Sequence, residues 1–165
     1  MKKRNKKYRP KPVIRDTVAF VLSGMRRVAD LKEPYLMALL RTRTALERLR
    51  TGIADKDDIG RLMAMLNLAE ALAVHGLGKD HLDSLVEIQN HLFELATKGV
   101  ERGYRFTMNA AQWQALKDLV DLHEAQLDAC TVYQIEQAVD FIERHQRSGN
   151  VRLVATPKGI SNEPT

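Results

Sequence analysis

The chain holds a single cysteine, Cys130, so no disulfide can close within it, and nothing points to a small extracellular scaffold held by bridges. Aromatic residues make up only 5% of its 165 positions, and nine glycines and five prolines are thinly spread. With Leu and Ala dominating the apolar set, that shortage of β-formers and chain breakers argues for helix over strand. Long apolar runs are also missing. After the basic start, Arg15 and Asp16 interrupt the apolar residues and Arg26 and Arg27 close them, which excludes a signal-peptide core or a membrane span at that place. The expectation is a soluble, cytoplasmic protein with no membrane partner. Phosphate-cradling glycine loops are absent as well: Gly76 to Lys79 (GLGK) lacks the upstream glycine and the following Ser/Thr of a P-loop and reads as a helix end.

Positive charge is abundant, but in one place. Of the 26 Lys and Arg residues, eight fall within the first fifteen positions, and no acidic residue appears before Asp16. The remaining 18 cations stand against 21 Asp and Glu, so the rest of the chain is mildly acidic. A concentrated charge of one sign on a short segment suggests a polyanion partner, because each phosphate neutralised by Lys or Arg releases condensed counterions. The run KKRNKKYRPKP places Lys2, Lys3, Arg4, Lys6, Lys7, Arg9 and Lys11 against DNA or RNA phosphates, with Tyr8 available to stack on an unpaired base. Pro10 and Pro12 bias their neighbours to extended geometry, and residues 1–13 bury too little apolar surface to offset chain entropy, so a flexible arm is expected there. Competing readings are an acidic protein surface as partner, or a solubilising tail. Membrane attraction ranks below both, since the arm has no apolar face or lipidation signal.

Residues 14–147 read as one helical-bundle domain of five or six helices, and residues 148–165 as a loose C-terminal tail on which Val151, Leu153 and Val154 could fold back. Val18, Val21, Leu22 and Met25 form a first stripe, on a helix from Ile14 to about Val28 to Leu31. Pro34 suits the first turn of a second helix, whose buried face is Leu36, Leu39, Leu40, Leu46 and Leu49, with Gly52 closing it. Asp55, Asp57 and Asp58 sit where the next helix dipole favours negative charge. The third helix, about 56–75, is apolar beyond a single stripe and should be central. Asp80 is the expected cap of a fourth helix carrying Leu82, Leu85, Val86, Leu92, Phe93 and Ala96, which ends between Gly99 and Gly103, ahead of an extended connector at 103–107. A fifth helix steps through Trp113, Leu116, Val120, His123 and Leu127. Thr131 and Gln134 have capping-box spacing and open a sixth helix with Val132, Ile135, Val139 and Ile142, expected to pack on the fifth as an antiparallel hairpin.

The side chains that could carry chemistry do not assemble into a recognised pattern. Glu87 and His91 stand four apart, and His123 lies near Glu124 and Asp128, but neither set has the spacing of a zinc helix or a di-iron bundle. His123 belongs to an apolar stripe and reads as a hydrogen-bonded core histidine; Asn67 and Glu70 on the apolar third helix require polar partners. Cys130 has no activating base close in sequence. A helix-turn-helix at Cys130 and Thr131 is disfavoured, since Glu136 and Asp140 would meet phosphate. No enzyme activity, metal or cofactor is expected.

The KKRNKKYRPKP start, LNLAEALAVHGLG at 66–78 and LHEAQLDACTVYQIEQAVDFI at 122–142 together resemble small uncharacterised helical proteins encoded in bacterial phages and prophages. The resemblance implies a phage or mobile-element origin and transfers no site residue. The expected function is a non-enzymatic nucleic-acid-associated accessory protein, its helical body supplying a dimer surface or docking a second protein. The rival is a protein-interaction inhibitor or adaptor acting on a host protein or nucleoprotein complex, marked by an exposed patch of Tyr35, Met37, Trp113, Phe141 or Ile160.

Overall fold

A computed structural model describes residues 17–149, and the side chains of Thr17, Val18 and Phe20 are outside that description. Six α-helices follow in order: α1 Thr17–Gly24, α2 Glu33–Arg50, α3 Lys56–Val74, α4 Leu82–Glu101, α5 Ala110–Ala129 and α6 Val132–Arg147. Short 3₁₀ turns, Val28–Leu31 and Lys79–His81, precede α2 and α4. Among the described residues the extended pairing is one antiparallel bridge, Arg27 to Thr131. The expected all-α bundle is what the chain forms.

The helix α3 is the axis of the bundle and packs against α2, α4, α5 and α6. Its start is set locally: Asp55 Oδ1 accepts from the backbone N–H groups of Asp57 and Asp58 at 2.9 Å, and Asp58 Oδ2 accepts from Asp55 N–H at 3.1 Å. This reciprocal box satisfies donors that the first turn leaves open and puts two carboxylates at the positive end of the helix dipole. Asp58 is fully buried and is neutralised by Arg61 at 3.0 Å and Arg48 Nε at 3.1 Å, the latter at an angle that makes an ion pair rather than a hydrogen bond. Along α3, Ile59, Leu62, Met65, Leu66, Ala69, Leu72 and Ala73 are buried, and each large side chain among them contributes about 1.5–3 kcal/mol by leaving water. The main core joins α2, α3, α4 and α5. A second cluster of Ala71, Leu72, Leu127, Cys130 and Ala138 lies under α6.

Several expectations about packing are corrected. The first helix stops at Gly24 rather than near Leu31, because residues 26–28 leave the helix to pair with 130–132: Val28 N–H donates to Cys130 O at 3.1 Å and Val132 N–H to Arg26 O at 2.8 Å. Its stripe faces outward, with Val21, Leu22 and Met25 exposed. Leu36 and Leu40 of α2 are likewise exposed, while Leu46 and Leu49 supply its buried face and Leu39 is half-buried. Asp80 caps nothing; it lies inside the 3₁₀ turn before α4, whose N-cap is His81 without a side-chain bond. The helix α4 does end between Gly99 and Gly103, at Glu101, as expected. The helix α6 does pack, on α3 and α1, and the expected α5–α6 hairpin does not form. Cys130 and Thr131 are both extended, with ψ of 157° and 162°, and they swing the chain across α3. The capping box of Thr131 and Gln134 is present as expected.

Candidate functional site

The phosphate-binding residues expected from the sequence, Lys2, Lys3, Arg4, Lys6, Lys7, Tyr8, Arg9 and Lys11, lie outside the described residues, as do Val151, Leu153, Val154 and Ile160. What the structure does place is the point where that segment joins the body: α1 rests on α6, and the bridge at Arg27 ties the following residues to the α5–α6 junction. The expected apolar patch does not assemble. Tyr35, Trp113 and Phe141 are half-buried against the two cores, and Met37 is exposed without them.

Between α2 and α5 lies a polar seam. Arg43 makes a two-pronged pair with Glu124, at 2.7 and 2.8 Å, and reaches Asp121 at 2.6 Å, where Lys117 also binds at 3.0 Å. Hydrogen bonds from Lys117 and Arg43 hold the Asp121 carboxyl below its usual range. At the other end the Tyr35 hydroxyl donates to Asp128, and that bond, with burial and the carboxylate charge, pushes the phenol up to about 12. Arg27 donates to the Asp128 carbonyl at 3.0 Å. Each of these α5 acids therefore has a partner on a neighbouring element, and the seam reads as a clamp that sets the α2–α5 angle.

Behind it, Gln126 Nε2 donates to Ala69 O at 3.0 Å and Leu77 O at 2.7 Å, which leaves its Oε1 as an acceptor for His123 Nδ1 at 3.3 Å. That arrangement assigns the Nδ1–H tautomer, and burial pushes the imidazole below its ordinary pKa. His123 is thus the hydrogen-bonded core histidine expected. Gln89 similarly serves Glu70 at 2.7 Å and Asn67 at 3.3 Å, as those residues required. Cys130 is buried and desolvation raises its thiol pKa, so the inert reading of that cysteine fits its surroundings.

A cleft of about 440 Å³ lies between α4 and α5. The 3₁₀ turn contributes His81; α4 contributes Ser84, Glu87, Ile88 and His91; α5 contributes Gln112, Asp118 and Leu119, with Ala111 and Ala115 too small to fill the gap. Helical spacing of three and four puts each set on one face. Glu87 and His91 do share a wall, as their spacing implies, yet among the described residues no three His, Cys, Asp or Glu side chains converge as metal ligands. Sequence reading missed this cleft, and its one available signal was the pairing of small with polar residues at helical spacing on two successive helices. Compared with protein-family models, curated proteins and solved structures, the chain matches none.

Proposed function

We propose that this protein is a non-enzymatic nucleic-acid-associated accessory protein of phage or prophage origin, acting in the cytoplasm and holding DNA or RNA phosphates through its basic N-terminal segment. The observation that carries this reading is the segregation of charge, eight cations in the first fifteen residues ahead of an acidic remainder. The folded body supports it from the other side. Arg43, Arg48, Arg50, Arg61, Lys98, Lys117 and Arg147 are each tied to a carboxylate of the body, so these cations are already neutralised at home. Phosphate contacts without base readout give affinity without sequence preference, and any specificity then belongs to the helical body or a dimer of it.

The decisive experiment compares the full chain with a chain beginning at Val13 on duplex DNA and single-stranded RNA across a salt series. About five phosphate contacts on duplex DNA give a slope of log affinity on log salt of roughly −4 to −5 for the full chain. Equal affinities of the two chains refute the role of the arm.

A second reading, a protein-interaction inhibitor or adaptor, draws on the exposure of Val21, Leu22, Met25, Leu36, Met37 and Leu40, all in the N-terminal part of the body. Affinity capture from the source cell separates the two: recovery lost on nuclease treatment favours nucleic acid, and a nuclease-resistant stoichiometric partner favours the adaptor. Among the described residues no helix is long and apolar enough to cross a membrane.

A further inference from the structure

We propose that the outward face of the N-terminal half of α2 is a homodimer interface, on which a second copy of this chain lies antiparallel across a two-fold axis near Met37. Of the twelve large apolar side chains exposed among the described residues, six fall between Val21 and Leu40, so the uncovered apolar surface is concentrated in one stretch. The helix α2 divides along its length. Ala45, Leu46 and Leu49 are buried, whereas no side chain from Glu33 to Thr44 is. Over that length, about 18 Å of helix, one side faces the body. Tyr35, Leu39 and Arg43, spaced by four, make that side: Tyr35 binds Asp128, Arg43 binds Glu124 and Leu39 packs on the second core. Leu36, Met37 and Leu40 lie away from it, with Leu36 60% and Leu40 59% exposed.

What selects a second copy is the charge at the two ends of this stripe. Glu33 stands four residues before Met37 and Arg41 four residues after it, and both are exposed. A copy laid antiparallel about Met37 brings Glu33 of each chain opposite Arg41 of the other, and the two-fold axis repeats the pair. Leu36, Met37 and Leu40 of the two chains then meet between these pairs, an apolar centre inside a charged rim. A parallel copy would set Glu33 against Glu33 and Arg41 against Arg41, like charges that oppose that arrangement. The helix α1 exposes Val21 and Leu22 but contains no charged residue, so it carries no comparable mark of orientation. Three apolar side chains from each copy make less than a standard interface, so the association is concentration-dependent rather than permanent. The pairing uses no residue of the basic segment and stands whether or not that segment holds phosphate.

The test is analytical ultracentrifugation of the full chain, freed of nucleic acid and run at about 0.15 M salt over a concentration series. The parent should show a reversible monomer–dimer equilibrium. Leu36→Ser/Leu40→Ser should weaken it by at least about tenfold. Glu33→Arg and Arg41→Glu should each weaken it by about tenfold, because the two-fold axis makes every reversal count twice. Combining them in Glu33→Arg/Arg41→Glu re-forms both pairs with their signs exchanged, and should return the affinity to within about threefold of the parent. All four positions are exposed and lie outside both cores, so the variants keep the fold, which circular dichroism verifies. A parent that stays monomeric up to about 1 mM, a dimer indifferent to Leu36→Ser/Leu40→Ser, or a double reversal as weak as the single ones overturns the proposal. The first of these outcomes leaves the face to a different partner.

Discussion

Replacing Gly99 by alanine gives the sharpest test of how the connector between α4 and α5 is packed. Helix propensity alone predicts a gain, since alanine in a helix interior is about 1 kcal/mol better than glycine. The structure predicts the opposite sign. A Cβ at residue 99 would stand 2.3 Å from Phe106 Cδ1 and Cε1, against an ordinary carbon contact of about 3.5–4.0 Å. The ring has nowhere to go: Phe106 is 3% exposed within the main core, and the chain is held at this point by Tyr104 N–H donating to Gly99 O at 2.7 Å. Tyr104 adopts a left-handed φ of 66°, which folds the connector back so that Phe106 lands on the helix it has just left. Overpacking of this kind costs about 1–3 kcal/mol, and expelling the ring instead forfeits about 1.5–3 kcal/mol of burial. Less the propensity gain of about 1 kcal/mol, Gly99→Ala should destabilise by up to about 2 kcal/mol.

Urea unfolding, followed together by circular dichroism and by the fluorescence of the one tryptophan, Trp113, which packs on the same core, measures the effect and tests for a single transition. A double-mutant cycle isolates the cause. Phe106→Ala should cost about 3–5 kcal/mol alone, but in that background Gly99→Ala should become stabilising by up to about 1 kcal/mol, because the obstructing ring has gone. A stabilised Gly99→Ala single variant, or the same effect in both backgrounds, refutes the close approach of α4 to Phe106.

Three further outcomes are expected. Asp58→Ala removes the capping-box acceptor of α3 and the shared partner of Arg48 and Arg61, and should lower unfolding free energy by about 2 kcal/mol; a loss under about 0.5 kcal/mol would contradict the buried clamp. His123 is held neutral by burial, so below about pH 6.5 the unfolded chain takes up a proton that the folded chain refuses, and stability falls as pH drops from there toward the depressed folded value. Asp55 and Asp121 are depressed carboxyls whose contribution is lost only at lower pH; urea midpoints of His123→Leu should therefore show a flatter slope between about pH 6.5 and pH 5 than those of the parent, and equal slopes would reject a buried neutral His123. Cys130, buried with a raised thiol pKa, should react with an aromatic disulfide reagent only at the rate of unfolding, and prompt reaction under native conditions would show the α5–α6 junction to be open.

Two of the caps and the central helix were legible in the sequence because their causes are local. Asp55 with Asp58 and Thr131 with Gln134 close reciprocal bonds within four residues, and α3 announces its place by being apolar on more than one side. Periodicity also located Leu46, Leu49, Leu116, Val120 and His123 in the core. It failed for Val21, Leu22, Met25, Leu36 and Leu40 for a definite reason. Spacing fixes the direction of a side chain about its own helix axis and carries no information about whether another element lies in that direction. Among the described residues none does at Leu36 and Leu40, although one turn later the same helix is covered. The α5–α6 hairpin failed likewise: a short junction implies that helices double back only if its residues turn, and Cys130 and Thr131 stay extended where the Cys130 carbonyl accepts from Val28 N–H and Val132 N–H donates to Arg26 O, about a hundred positions away in sequence. The cleft belongs to the same category. Ser84, Ala111 and Ala115 are unremarkable singly, and concavity arises only when small side chains on two helices are brought opposite each other. Charge is the exception, because it acts through space without needing a fitted neighbour. The imbalance of the first fifteen residues therefore points outward from the chain itself.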